Sequence, residues 1–546
     1  SAGGGAQARG GAGVSAPLSA VIGGYLDLRW RLDPVEATFH GLDEFDGMFA
    51  AYDAESVREQ IAALVAYENA IEEAEAETLA DEIDRTAVLH ALRHDVLLLA
   101  KERRFVHNPS YHLMHAVSGI FLLLARRPAD SETRAHALLA RLQALPAFLE
   151  TAATVLTEPD TIFVDMGAAM IPGAIALIQD GLDDPALDLA MLDPLELEHA
   201  RVQAVEALEA FADALEQMRA RAGTHFAIGR ELFDRKLHTA HMIGENADEL
   251  LRFGERLRAS AIESLEEIAR EIDPGAGWKE IAARLRTDIP SPESALEEYR
   301  EAMEASRHFT ISRELMPVPD AVLDVVPTPD FLKPLIPLAA YQGPGAFDPI
   351  QRGLFLVTLP EEGESWRSHC RGELPSTALH EGVPGHHLQM SIGNRLASIP
   401  RRVLSTPAAR EGWALYCESL MAEMGFLDSA AERFFQAHHL LWRAIRVILD
   451  VSLHTKGLSM EDAAARLRDE LGFEQHVADA EARRYCAYPT YQLCYAVGRR
   501  DILTLREDLR RARTDDFSLA EFHEELLQYG ALPTALARWG MGLAAD

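Results

Sequence analysis

The stretch His380-Glu381-Gly382-Val383-Pro384-Gly385-His386-His387 places three histidines and a glutamate within eight residues, and Glu411-Gly412-Trp413-Ala414-Leu415-Tyr416-Cys417-Glu418 follows it downstream. A catalytic zinc takes three protein ligands, from imidazole nitrogen and carboxylate oxygen, and keeps one position for water. A neighbouring Glu then serves as general base. The common arrangement, His-Glu-x-x-His on one helix, sets two histidines one turn apart on one face. Here Pro384 stands where the second His would be, and His380 and His386 are six residues apart. On a straight helix they would be separated by about 120° and about 9 Å along the axis. Two nitrogens that must each sit about 2 Å from one metal cannot meet that way. Pro384 has no N–H and its ring clashes with the carbonyl of His380, while Gly385 accepts backbone angles that other residues avoid. A bulge or break between the two histidines is therefore expected, bringing His386 back beside His380. His387, seven residues from His380 and about 10.5 Å along a helix, is the second choice. The plainer alternative is a helix that stops at Pro-Gly with surface or core histidines. The His-Glu and His-His pairs around one break, followed by a glutamate-bearing helix, favour the metal reading, with Glu381 as the base.

These two segments resemble the signatures of the bacterial "domain of unknown function 885" family, and the resemblance runs nearly the whole chain. Asp33-Pro34-Val35-Glu36-Ala37-Thr38 with Gly41 and Asp46 is similar to the family's N-terminal signature. Arg484-Tyr485 with Pro489, Gln492, Tyr495 and Gly498 is similar to its C-terminal one, except that Pro489-Thr490-Tyr491-Gln492 replaces the commoner Pro-Gly-Gln. The resemblance implies a mostly helical, zinc-peptidase-like protein whose substrates are mostly unassigned. Gluzincin-type peptidases, among them angiotensin-converting-enzyme-like and thimet-oligopeptidase-like enzymes, take a third ligand from a Glu on the next helix. Glu411, 25 residues after His386, fills that place by analogy. Glu418, on the same helix face, is the second choice or a partner that orients a His.

With 546 residues the chain can bury a large core. Its hydrophobic content of 48% and charged content of 25% are those of a globular protein. The formal net charge is −34, from 52 basic and 86 acidic residues. That argues against nucleic acid, whose binding rests on Lys and Arg neutralising phosphates, and against anionic membranes. Cys370, Cys417, Cys486 and Cys494 form no Cys-x-x-Cys pair; they are too few for a disulfide scaffold and fit free thiols in a reducing compartment. No apolar run is expected to span a membrane, and no signal peptide is evident in the Gly/Ala-rich start. A cytoplasmic location is the expectation, with a processed N-terminus left open.

Residues 1–16 read as a disordered tail. Residues 17–315 read as a helical region, with segments at Ala54–Ala76, Asp84–Arg103, Ser131–Val155, Pro194–Arg221 and Ala247–Ile272. Residues 316–546 read as the catalytic region, both regions forming one compact fold. Prolines recur from Met316 to Pro349, and short β-type runs lie at Val322–Val326, Ala339–Gln342 and Arg352–Leu359. A small sheet is thus expected just before the metal-binding helix. Gly353–Thr358, including Phe355, is the candidate edge strand for an extended substrate. In the second informative stretch, Tyr485 and Tyr495 are candidates to stabilise an oxyanion, and Arg484 is a candidate anchor for a substrate carboxylate. The histidines at 107, 112, 115, 238 and 241 lack carboxylates in a matching pattern and are expected to be packed or capping groups.

The fold class is therefore mainly α, a large helical metallopeptidase-like body with a central cleft and a small sheet. The expected function is zinc-dependent cleavage of a peptide or amide bond, with Zn²⁺ held by His380, His386 and Glu411. A His-His-Glu site also suits Mn, Co or Ni. The alternatives are an amidase or esterase for small acylated molecules, and a non-catalytic binding protein that keeps the fold. Oligomeric state is not encoded in any feature recognised.

Overall fold

The computed structural model describes residues 17–125, 131–183, 189–329, 333, 336, 338–361 and 365–544. The expected tail at 1–16 lies outside them. The architecture is mainly helical with one three-stranded sheet. Several helix starts are set by side-chain caps. The helix expected from Asp84 begins earlier, at Leu79, because Thr78 and Asp81 close a capping box ahead of it. Asn246 with Glu249 and Ser429 with Glu432 do the same for Ala247–Ile272 and Ala430–Thr455. Ser459 caps Met460–Leu471, its side chain accepting the Asp462 N–H at 3.0 Å.

Ala247–Ile272 and Ala430–Thr455 pack along each other across the boundary expected at residues 315 and 316. Gly254 sets their closeness: a Cβ there would lie 2.9 Å from Ile448 Cγ1 and 3.1 Å from Val447 Cβ. The long helix Ala430–Thr455 is buried along most of its length and carries Arg443, Arg446 and Asp450 inside the protein.

Thr161–Asp183 departs from the expectation that no run could span a membrane. It has 23 residues, an 18-residue stretch of which reaches a mean hydropathy of 1.8, and so suffices by length and composition. Asp165 and Pro172 interrupt the run and hid it in the sequence. It packs against Pro109–Ala125 and Pro194–Arg219 and buries Phe163, Val164 and Leu177, as a core helix does.

The strands are β1 (Val322–Pro327), β2 (Ala339–Gln342) and β3 (Arg352–Val357), in the order β1-β3-β2. β3 pairs parallel with β1, Val325 opposite Phe355, and antiparallel with β2, Tyr341 opposite Phe355. This corrects the expectation of an edge strand at Gly353–Thr358. The strand is central, with its backbone groups committed on both sides, so it cannot add a substrate strand. Phe355 is fully buried against Tyr299, Leu374 and Ala378, and Gly353 is covered by His387 and Tyr341; neither is available to bind substrate. The sheet instead supports the helix Leu374–Glu381, whose buried Leu374 and Ala378 share that cluster.

Candidate metal centre

The break between the histidines forms as Pro384 and Gly385 require. The helix Leu374–Glu381 ends where the Gly382 N–H bonds Ala378 O at 2.8 Å and the Gly385 N–H bonds Leu379 O at 2.9 Å. A second helix, His386–Gly393, starts at once. The return is so tight that a Cβ on Gly385 would lie 1.9 Å from the His380 carbonyl oxygen; only glycine fits. The freed Pro384 carbonyl accepts from Trp413 Nε1 at 2.9 Å. Trp413 belongs to the neighbouring helix Pro407–Glu423, which also carries Glu411 and Glu418. The imidazoles of His380 and His386 consequently stand perpendicular, 4.9 Å between ring centres.

One ligand atom from each of His380, His386 and Glu411 lies within 4.8 Å of the others, and all three residues are buried. His386 Nε2 and Glu411 Oε2 are 3.4 Å apart. Two ligands each about 2.0–2.1 Å from one tetrahedral zinc are separated by about 3.3 Å, so the donor set fits the ion. Glu418 is outside this cluster. Its Oε1 accepts from His380 Nδ1 at 2.7 Å, which leaves Nε2 as the ring nitrogen that could ligate a metal. Arg443 and His439 flank Glu418 at 3.6 and 3.7 Å. Burial alone would raise its carboxyl; Arg443, His380 and His439 together hold it well below the usual carboxylate range. Burial likewise opposes ionisation of Glu411, and His386, Arg410 and His380 outweigh it, keeping that carboxyl low.

His387, the second-choice ligand, directs both ring nitrogens elsewhere. Nδ1 meets the Tyr341 hydroxyl at 3.0 Å and Nε2 the Ala321 carbonyl at 3.4 Å. Tyr341 is thereby fixed near Glu381: burial, and then the Glu381 charge, push its hydroxyl far above the ordinary phenol range. Glu381 is half-buried, and among the described residues its carboxylate has no hydrogen-bond partner.

The aromatic stretch divides. Tyr485 is fully buried. Its hydroxyl donates to Glu481 Oε2 at 2.7 Å and accepts from Trp442 Nε1 and Arg446 Nε, each at 3.1 Å. That exhausts its bonding capacity, which corrects its candidacy for the oxyanion. Arg484 is gripped by both oxygens of Glu481, at 3.1 and 2.7 Å, and so already holds a carboxylate. Tyr495 lies beneath the guanidinium of Arg446, 4.7 Å from its ring centre, with no hydrogen bond to its hydroxyl among the described residues. Tyr491, in the quoted stretch but not singled out, donates to Glu411 Oε1 at 2.7 Å. Its turn is pinned by Asp450, which accepts the N–H groups of Thr490 at 3.0 Å and Leu493 at 3.1 Å. The sequence signal for it is the lone charge in Ile448-Leu449-Asp450-Val451.

Of the five histidines expected to be packed or capping groups, His115 departs, its Nε2 lying 3.7 Å from the carboxylate of Asp33, and His241 Nε2 meets the Thr490 hydroxyl at 3.3 Å; the other three are packed or bonded to the main chain. His112 Nε2 meets Phe105 O at 2.8 Å, His107 Nε2 meets Glu102 O at 3.1 Å, and His238 packs edge-on against His90.

Residues 34–541 match the family described as "Bacterial protein of unknown function (DUF885)", and the chain belongs to it. The fold is similar to that of "a putative lipoprotein of unknown function from Shewanella oneidensis" (TM-score 0.80, 22% identity, covering 96% of this chain and 100% of that one). It is also similar to "the putative lipoprotein from Colwellia psychrerythraea" (TM-score 0.82, 18% identity, 96% and 98% covered). No curated protein matches the chain. The descriptions of these two structures overturn the cytoplasmic expectation. The inference from cysteine failed for a physical reason: all four thiols are buried, and a buried, inert thiol reports no redox compartment.

Proposed function

We propose that this member of the family is a metal-dependent hydrolase, with zinc as the metal, cleaving a peptide or related amide bond. The observation that carries the reading is the convergence of His380, His386 and Glu411 beside a half-buried Glu381. Zinc held there would supply a Lewis acid that polarises the scissile carbonyl and lowers the pKa of a water molecule. His380 and His386 offer neutral ring nitrogens and Glu411 a carboxylate oxygen. Glu418 holds the His380 tautomer by accepting from Nδ1, and Tyr491 orients Glu411. Glu381 removes the proton of the attacking water and returns it to the leaving amine. The C–N bond breaks, with hydroxyl gained by the acyl carbon and hydrogen by the nitrogen. Tyr495 is the hydroxyl assigned to the developing oxyanion, and a metallopeptidase-like cleft is part of the same proposal.

The test is elemental analysis of the wild type and His380→Ala in metal-controlled buffer, followed by hydrolysis of a peptide and N-acyl amino acid panel. About one zinc per chain, lost in His380→Ala, is expected. Glu381→Gln should keep the metal and lose turnover. A folded wild type that takes up no zinc when supplied, or a Glu381→Gln protein that loses it, refutes the assignment.

A further inference from the structure

Beside the metal cluster lies a pocket lined by Phe39, His40, Pro344, Asn394, Arg402 and Arg410, among others, and by no carboxylate residue. A cationic pocket is unexpected in a chain with 86 acidic and 52 basic residues. Arg401, also on its wall, is neutralised by Asp84 at 2.7 Å. Arg402 gives Nε and Nη2 to the Leu396 carbonyl, at 3.1 and 2.6 Å, keeps its charge, and faces no carboxylate among the described residues. Half-buried Arg410 has neither ion pair nor hydrogen bond among them. A half-buried guanidinium that faces no carboxylate has its charge available to an anion entering the pocket, and its five donors are shaped for a carboxylate.

The position of Arg410 connects the pocket to the site. It directly precedes Glu411 on the helix Pro407–Glu423, and its charge acts on His386, Tyr341 and Tyr491 as well as on His40 in the pocket. The helix that starts with His386 runs along the same pocket through Gln389, Met390, Gly393 and Asn394. Those residues lie roughly 4–12 Å along the axis from His386, the reach of one to three extended residues.

We infer that Arg410, backed by Arg402, binds a free carboxylate of the substrate one to three residues beyond the scissile amide. The substrate class is then short peptides or peptide C-termini, and the cleavage releases a small C-terminal fragment. The sequence suggested Arg484 for this task, but Glu481 occupies it. The inference rests on the hydrolase reading for its scissile bond and on the pocket for its carboxylate.

An N-acetylated tetrapeptide with a free C-terminus and its C-terminal amide can be titrated calorimetrically into the 546-residue chain carrying Glu381→Gln, zinc-supplied and metal-free. The free acid should bind at least ten-fold tighter than the amide. Arg410→Gln should abolish that preference without lowering amide binding, and Arg410→Lys should restore part of it. Equal binding of acid and amide, no binding of either, or a preference that survives in Arg410→Gln overturns the inference. Failure of the hydrolase reading looks different: no zinc uptake and no wild-type turnover, with the Arg410-dependent acid preference intact in the metal-free protein.

Discussion

His380 Nδ1 stands 2.7 Å from Glu418 Oε1, so a carboxylate outside the metal cluster sets which nitrogen of His380 faces into it. Such partners fix ring orientation and raise ligand basicity. Glu418→Gln removes the charge while keeping the shape, and zinc affinity should fall about 10- to 100-fold. It should also lower the melting temperature, because Arg443, at 3.6 Å, loses its buried counter-charge. Competition against a chelator of known affinity reads the first effect and calorimetry the second. Unchanged affinity would mean that Glu418 serves only Arg443 and His439.

Tyr491 and Tyr495 are adjacent in space, 6.1 Å between ring centres, yet should fail differently. Tyr491 donates to the proposed ligand Glu411, so Tyr491→Phe should weaken metal binding about 10-fold. Tyr495→Phe should leave metal content intact and lower kcat by about 10²- to 10³-fold, the cost of one oxyanion donor. Metal content and kcat measured together on both variants decide the assignment. The reverse pattern would hand the oxyanion role to Tyr491.

Gly385 carries the geometry that Pro384 only permits. Since a Cβ would lie 1.9 Å from the His380 carbonyl oxygen and 2.4 Å from that of Leu379, Gly385→Ala must push the two histidine-bearing helices apart. The expected result is at least the ~1–3 kcal/mol of an overpacked site, with loss of the metal even where the chain still folds. Denaturant unfolding and elemental analysis check both; a metal-replete Gly385→Ala protein would show that the turn can relax.

Much of this was legible because it is local. The failure of a straight helix to join His380 and His386, the Pro-Gly break and the three strands follow from backbone sterics and alternation within a few residues. What was not legible depends on pairing across the chain. Strand order made β3 central and disqualified Gly353 and Phe355, and no local pattern encodes strand order. Tyr485 and Tyr491 look alike in sequence; Glu481, Trp442 and Arg446 consume one hydroxyl, while the turn held by Asp450 aims the other at Glu411. Arg484 and Arg410 are likewise distinguished only by what surrounds them.

Asp450 links that turn to pH. The carboxyl is fully buried, and burial pushes it up to about 7 from 3.8, against the N–H groups of Thr490 and Leu493 and the charge of Lys236. The folded state therefore binds a proton that the unfolded chain releases between these two values. The resulting stability is fully present below about pH 4 and is lost as pH rises through about 7, on the order of 4 kcal/mol in full. Lys236, depressed by burial to about 8, titrates above this window with the opposite sign. Asp450→Asn cannot ionise but offers one acceptor where two N–H groups need two. It should be less stable than wild type at pH 5, and the difference should narrow by pH 8. Urea unfolding of both proteins across that range gives the answer, and parallel profiles would show that Asp450 does not change its charge there.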